Sequence, residues 1–249
     1  MIKHIDIEYK AGICLDLYLP DPGNEPCDLF VYAHGGGLEH GSRHGIGVFA
    51  ETLAKHNVAT ASIDYRMYPN AKFPEYIEDA AEAVRWLKDN IATYAPVRRI
   101  FVGGSSAGGY ISQMLCFDSR YFEAVGIAPS DIAGYIHDAG QPTAHFKVLD
   151  KAGEDGRRVI VDERAPLYFV GMQETYPPML IVVSDDDMFG RYEQTMLLSR
   201  TLEHFGHGDK VFVDVQHGKH CAYVYQKDEA DGEGVFGKII LNFLDKLDA

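Results

Sequence analysis

Two glycine-rich segments and two late clusters of ionisable residues hold the chemistry-bearing side chains of this sequence. The first segment, Gly103-Gly104-Ser105-Ser106-Ala107-Gly108-Gly109, contains Gly-x-Ser-x-Gly centred on Ser106. An apolar run, RRIFVG, precedes it, and a run with helical spacing, AGGYISQML, follows. A serine on a sharp strand-to-helix turn is presented as a nucleophile, and flanking glycines let the neighbouring backbone pack close. The helix N-terminus behind it offers positive potential to a developing negative charge. A glycine-rich turn capped by Ser105 or Ser106 would give the same five residues, but the strand-helix setting favours the nucleophile.

The second segment is His34-Gly35-Gly36-Gly37, at the end of the apolar run DLFVYA. Acyl transfer passes through a tetrahedral oxyanion, and donors must already stand where that charge forms. Losing one such donor costs on the order of 10²–10³ in rate. Gly36 and Gly37 are therefore assigned as backbone donors, with Ala107, the residue after the nucleophile, as a third. A phosphate-binding loop is the rival, but HGGGLEHG matches neither Gly-Lys-Ser/Thr nor GxGxxG.

A serine nucleophile needs a histidine base and an acid to orient it, in the chain order Ser, acid, His for this kind of turn. Asp185, Asp186 and Asp187 follow the apolar run PPMLIVVS, and His217 and His220 follow KVFVDVQ. Residue types alone leave the choice within each cluster open. Cys221 beside His220 is read as a packing residue, because Ser106 already has the better-placed base. No His, Cys, Asp or Glu spacing suggests a metal, and no cofactor is expected.

The elements that must position these residues are legible as alternating runs. IKHIDIEY and ICLDLYLP predict an opening hairpin, and DPGNEP a turn. CDLFVYA, NVATASI, RRIFVGG, EAVGIAP, PPMLIVVS and KVFVDVQ predict strands, mostly buried on both faces. Helices are predicted over 46–56, PEYIEDAAEAVRWLKDN, SAGGYISQMLCF, 190–205 and 234–248. The second of these would bury Ile77, Ala80, Ala81, Val84 and Leu87. Strand-helix alternation predicts a mostly parallel sheet covered on both faces, in one domain spanning 1–249. The stretch from Ser130 to Tyr176 has no sustained period and is read as a lid-like insertion.

Composition narrows the partners. With 249 residues, 46% hydrophobic and 24% charged, the chain is ordinary for a globular protein with a core. A formal charge of −14 repels nucleic acid and anionic lipid alike. No run is long enough to span a bilayer, and the start, MIKHIDIEYK, does not read as a signal peptide, so a cytoplasmic setting is expected. Cys14, Cys27, Cys116 and Cys221 form no CxxC pair and are expected as free thiols.

HGGG at 34–37, DYRMYP at 64–69, FPEYIEDAAEAVRWL at 73–87 and GSSAGG at 104–109 together resemble the α/β-hydrolase superfamily. Within it, the resemblance is to esterases related to hormone-sensitive lipase, and it runs from about residue 30 to about residue 225. It implies the α/β-hydrolase fold, no cofactor, and a Ser-Asp-His triad. In that family the strand before the acid ends as Gly-x-x-Asp. Ser184 takes the glycine position, so the resemblance implies Asp187, leaving Asp185 and Asp186 as turn formers. It likewise implies His220 as the base, through Gly218-Lys219-His220, with His217 as the rival. Asp64, Arg66 and Asp79 match structural positions and stay outside the site. The family often carries a longer N-terminal cap, and a homo-oligomer is expected from the resemblance alone.

The expected reaction is hydrolysis of small to moderate carboxylic esters through an acyl-enzyme, with acetylated carbohydrates or plant-derived esters as examples. An amidase, formamidase or peptidase would use the same triad, and a catalytically silent binding protein could keep the fold. A lipase is disfavoured because no strongly apolar lid helix stands out. His34, Glu39 and His40 beside the glycines are candidates for shaping the acyl side, or for a surface role. His137 and His145 are weaker pocket candidates.

Overall fold

A computed structural model describes residues 1–21 and 25–249. One eight-stranded sheet runs through these residues. Its strands are β1 (Ile2–Lys10), β2 (Ile13–Leu19), β3 (Cys27–Ala33), β4 (Val58–Ile63), β5 (Val97–Ser105), β6 (Gly134–Asp138), β7 (Met179–Asp186) and β8 (Val211–Lys219). Their spatial order is β1-β2-β4-β3-β5-β6-β7-β8. β1 pairs with β2, and β2 with β4, in antiparallel fashion; every later pairing is parallel. The predicted turn DPGNEP falls largely on 22–24, outside the described residues.

Eight α-helices accompany the sheet among the described residues: α1 (Gly47–Lys55), α2 (Glu75–Asn90), α3 (Ala107–Phe117), α4 (Arg120–Ala124), α5 (Phe146–Lys151), α6 (Pro166–Phe169), α7 (Arg191–His204) and α8 (Val235–Asp248). The alternation of side chains along a strand divides the core in two. From β3, Leu29, Val31 and Ala33 join one cluster with Ile77, Val84, Met114 and Leu198, from α2, α3 and α7. Phe30 and Tyr32 point the other way, into a cluster with Phe49, Leu53, Phe236 and Ile240 of α1 and α8. A strand covered on both faces has no polar side to show, which is why CDLFVYA reads as a continuous apolar run. All five residues expected on the buried face of α2 are buried.

Two expectations need correction. EAVGIAP forms no strand. α4 ends at Ala124, the chain turns at Gly126 (φ +69°), and Phe122 and Ile127 anchor the turn in the core. The strand between β5 and β7 is instead Gly134–Asp138, inside the interval 130–176 read as insertion. It was hidden because only Tyr135 and Ile136 are apolar, while His137 and Asp138 are fully buried polar residues. Burial pushes the His137 imidazole down to about 3, so it stays neutral, with Nδ1 2.9 Å from Ser112 Oγ. The connection from β6 to β7 carries α5 and α6. It is fastened to α3 by the Tyr110 hydroxyl, which donates to the Arg164 carbonyl at 2.7 Å.

Candidate active site

The turn between β5 and α3 places Ser106 at φ +57°, ψ −111°, a conformation an L-residue adopts only under constraint. The constraint is visible on both sides. The Ser106 amide donates to the Asp138 carbonyl at 2.8 Å, and its carbonyl accepts from Tyr110 at 2.9 Å. A Cβ on Gly108 would stand 1.9 Å from the Ala33 carbonyl oxygen, and one on Gly104 2.4 Å from the same atom. Only glycine at both positions lets the turn close against the end of β3.

Ser106 Oγ lies 2.8 Å from His220 Nε2, and His220 Nδ1 lies 2.5 Å from Asp187 Oδ1. These two contacts require the tautomer with its proton on Nδ1, leaving Nε2 to accept from the serine hydroxyl. The Asp187 side chain is fully buried. Burial opposes its ionisation, but His220 and the amides of Met188 and Ser184 outweigh that and hold the carboxyl below its usual range.

The other two aspartates have separate partners. Asp185 bonds His217 Nδ1 at 2.5 Å and the Gly218 amide at 3.0 Å, while Asp186 pairs with Lys219 at 2.5 Å. The His217 side chain is 97% exposed and pairs with Asp185, whereas His220 takes the contact with Ser106. Cys221 is buried next to Asp138, and burial with the neighbouring carboxylates pushes its thiol well above the ordinary value, so it carries no thiolate.

The glycine segment after β3 runs alongside Ser106. A Cβ on Gly35 would stand 3.2 Å from Ser106 Cβ. Gly36 and Gly37 both have positive φ, and the Gly36 carbonyl accepts from Glu39 and His40 at 3.2 and 3.0 Å. Among the described residues the amides of Gly36 and Gly37 donate to no acceptor. That of Ala107, first in α3, has no partner within the helix.

The residues flanking this segment brace it. His34 is buried, stacks on Tyr65 with ring centroids 4.5 Å apart, and its carbonyl accepts from the Tyr65 hydroxyl at 2.7 Å. Burial pulls its imidazole below the ordinary value, against the pull of the Gly35 carbonyl and Asp64. Glu39 bridges Lys147 and Lys151 of α5 at 2.9 and 2.8 Å, and these lysines hold its carboxyl down at about 2. It tethers α5 over the glycines. His40 is exposed.

Of the residues left outside the site, Asp79 is fully buried between Lys10 and Arg66, and Asp64 pairs with Arg43. His145 caps α5 and stacks on Phe146; it is buried and held neutral by burial. Sequence reasoning missed the support beneath Ser106. Asp138, at the end of β6, accepts from the Tyr223 hydroxyl through Oδ1, while Oδ2 finds no partner among the described residues. It also missed Arg191, a buried guanidinium bonded to the Ala139 carbonyl and Gln141. No local pattern marks either residue.

The BD-FAE family model matches residues 15–125. Esterase B from Lactobacillus rhamnosis superposes with a TM-score of 0.77 over 99% of this chain and 85% of that one, at 18% identity. This chain has the α/β-hydrolase fold. A Schizosaccharomyces pombe protein named as an AB hydrolase superfamily member is 31% identical over 125 residues, 48% of this chain and 37% of that protein. The carboxylesterase NlhH of Mycobacterium tuberculosis is 34% identical over 110 residues, 42% of this chain and 34% of its own length. The chain spans between 23% and 37% of the lengths of eight curated relatives it matches. No helix among its described residues is long and apolar enough to cross a membrane.

Proposed function

We propose that the chain is a serine hydrolase of carboxylic esters. The observation that carries this reading is the unbroken contact from Ser106 Oγ through His220 to buried Asp187, made at a strained turn beside backbone amides that no acceptor among the described residues takes. Ser106 attacks the ester carbonyl as His220 Nε2 takes its proton. Asp187 holds the imidazole in the productive tautomer and stabilises the imidazolium. The carbonyl oxygen becomes an oxyanion facing the amides of Gly36, Gly37 and Ala107. Collapse expels the alcohol, which leaves with the proton from His220, and an acyl-Ser106 ester remains. Water then attacks that ester, giving its proton to His220; the acid departs and Ser106 recovers its hydroxyl proton. The named esterases among the relatives support an ester as the bond cleaved.

The reading is tested by hydrolysis of p-nitrophenyl esters from acetate upward, by the wild type and by Ser106→Ala. Short-chain activity that disappears in the variant is expected. Activity that survives would remove Ser106 from the mechanism. Cleavage of anilides but not esters by the wild type would transfer the same machinery to amides.

A further inference from the structure

A cavity of about 620 Å³ opens beside the triad. Two of its walls belong to the site already described. Met188 lines it, and the Met188 amide donates to Asp187 Oδ1 at 2.7 Å. Phe146 lines it from the other side, with its ring edge 3.7 Å from where a Cβ on Gly37 would stand. A substrate with its ester at Ser106 therefore has the cavity within reach of one of its ends.

The charges on these walls do not cancel. Asp155 is consumed by Arg157, which binds it through Nε and Nη2 at 2.8 and 2.6 Å. Asp150 accepts from the Gly156 amide at 3.1 Å. Asp150 keeps its charge, so of the two remaining guanidiniums, Arg158 and Arg191, one is in excess, and neither is bonded to it. The Arg158 side chain makes no ion pair or hydrogen bond among the described residues. Arg191 is 4% exposed, and its two bonds go to uncharged acceptors, the Ala139 carbonyl and Gln141 Oε1.

A guanidinium has five N–H donors, so three on Arg191 are unused among the described residues. No carboxylate bonds it, although Asp187 stabilises its charge from farther off, and an anion on the free donors would offset the remaining cost of its burial. The cavity carries one positive charge in excess, in a chain whose net charge is −14. Phe146, Met188 and the fully exposed Phe189 supply an apolar lining for the body that bears the anion.

We propose that this cavity takes a carboxylate carried on the substrate, so that the preferred ester has a free carboxylate on its acyl or alcohol part. The proposal rests on the esterase reading given above. Recognition runs through Arg158 at the rim and the unused donors of Arg191 below it.

Matched pairs test it: 4-nitrophenyl hydrogen glutarate against its methyl ester, and 3-acetoxybenzoate against its methyl ester. In one pair the charged member should show kcat/KM higher by on the order of tenfold, an advantage that falls as salt is raised. Arg158→Gln, at an exposed position, should erase that advantage through KM and leave the neutral esters unchanged. Arg191→Met should reduce it as well. Preference for the neutral member in both pairs, or an unchanged ratio in Arg158→Gln, would overturn the proposal. Loss of activity on every ester, 4-nitrophenyl butyrate included, would instead count against the esterase reading itself.

Discussion

Replacing Asp138 with asparagine separates the chemistry of the buried support from its shape. Asp138 is fully buried, its Oδ1 accepts from Tyr223, and its Oδ2 has no partner among the described residues. Burial raises its carboxyl from the ordinary 3.8 to about 6, although the nearby Ser105 hydroxyl and the hydrogen-bonded Tyr223 favour the anion. The folded state therefore holds a proton that the unfolded chain releases between these two values. Stability is fully present below the lower value and is lost as pH rises towards the upper one. A shift of about two units corresponds to roughly 3 kcal/mol, of which about 2 kcal/mol falls between pH 4.5 and 7.5. Asparagine copies the neutral carboxyl and does not titrate. Urea denaturation of the wild type and Asp138→Asn across that range should show similar stabilities at pH 4.5. By pH 7.5 the variant should have gained about 2 kcal/mol over the wild type. Every other titrating group is common to both proteins, so the difference isolates this carboxyl. Two stability curves that stay parallel across the range would refute the reasoning.

Three further outcomes follow from particular contacts. Asp187→Asn should lower kcat on the order of 10⁴ by favouring the wrong tautomer. Asp185→Asn, which touches only exposed His217 and Gly218, should stay within about threefold, and steady-state kinetics would tell the two apart. Gly108→Ala forces a methyl to 1.9 Å from the Ala33 carbonyl and should cost roughly 3 kcal/mol or more, or abolish soluble expression. Gly153→Ala, with open space but a φ of +77°, should cost only about 1 kcal/mol in the same denaturation assay. Asp79→Asn leaves Lys10 and Arg66 without their shared buried carboxylate. It should destabilise by about 3 kcal/mol, the low end for such a loss, because both cations reach solvent.

How much of this was legible in the sequence depends on whether the signal is local. The runs DLFVYA and PPMLIVVS announce strands because both faces are covered, and Gly-x-Ser-x-Gly announces the turn because its pattern is contiguous, although the atom its glycines make room for, the Ala33 carbonyl oxygen, lies in a distant segment. β6 did not announce itself, since its burial places His137 and Asp138 where apolar residues are expected. The choice among Asp185, Asp186 and Asp187 depends on how β7 and β8 are aligned. Asp186 stands opposite Lys219, and the irregularity beside it sends each carboxylate to a different partner. Family resemblance pointed to Asp187; residue types did not. The role of Tyr65 beneath His34 and of Arg191 beside the cavity arises only when segments far apart in sequence meet.

The central claim is that Ser106 is the nucleophile, activated by His220. Its most direct test is intact-mass and peptide analysis after treatment with a fluorophosphonate, on the wild type, Ser106→Ala and His220→Ala. The account predicts one adduct per chain on the peptide containing Ser106, none in Ser106→Ala, and labelling slowed by orders of magnitude in His220→Ala. An adduct on another residue, or equal labelling of Ser106→Ala, would contradict it.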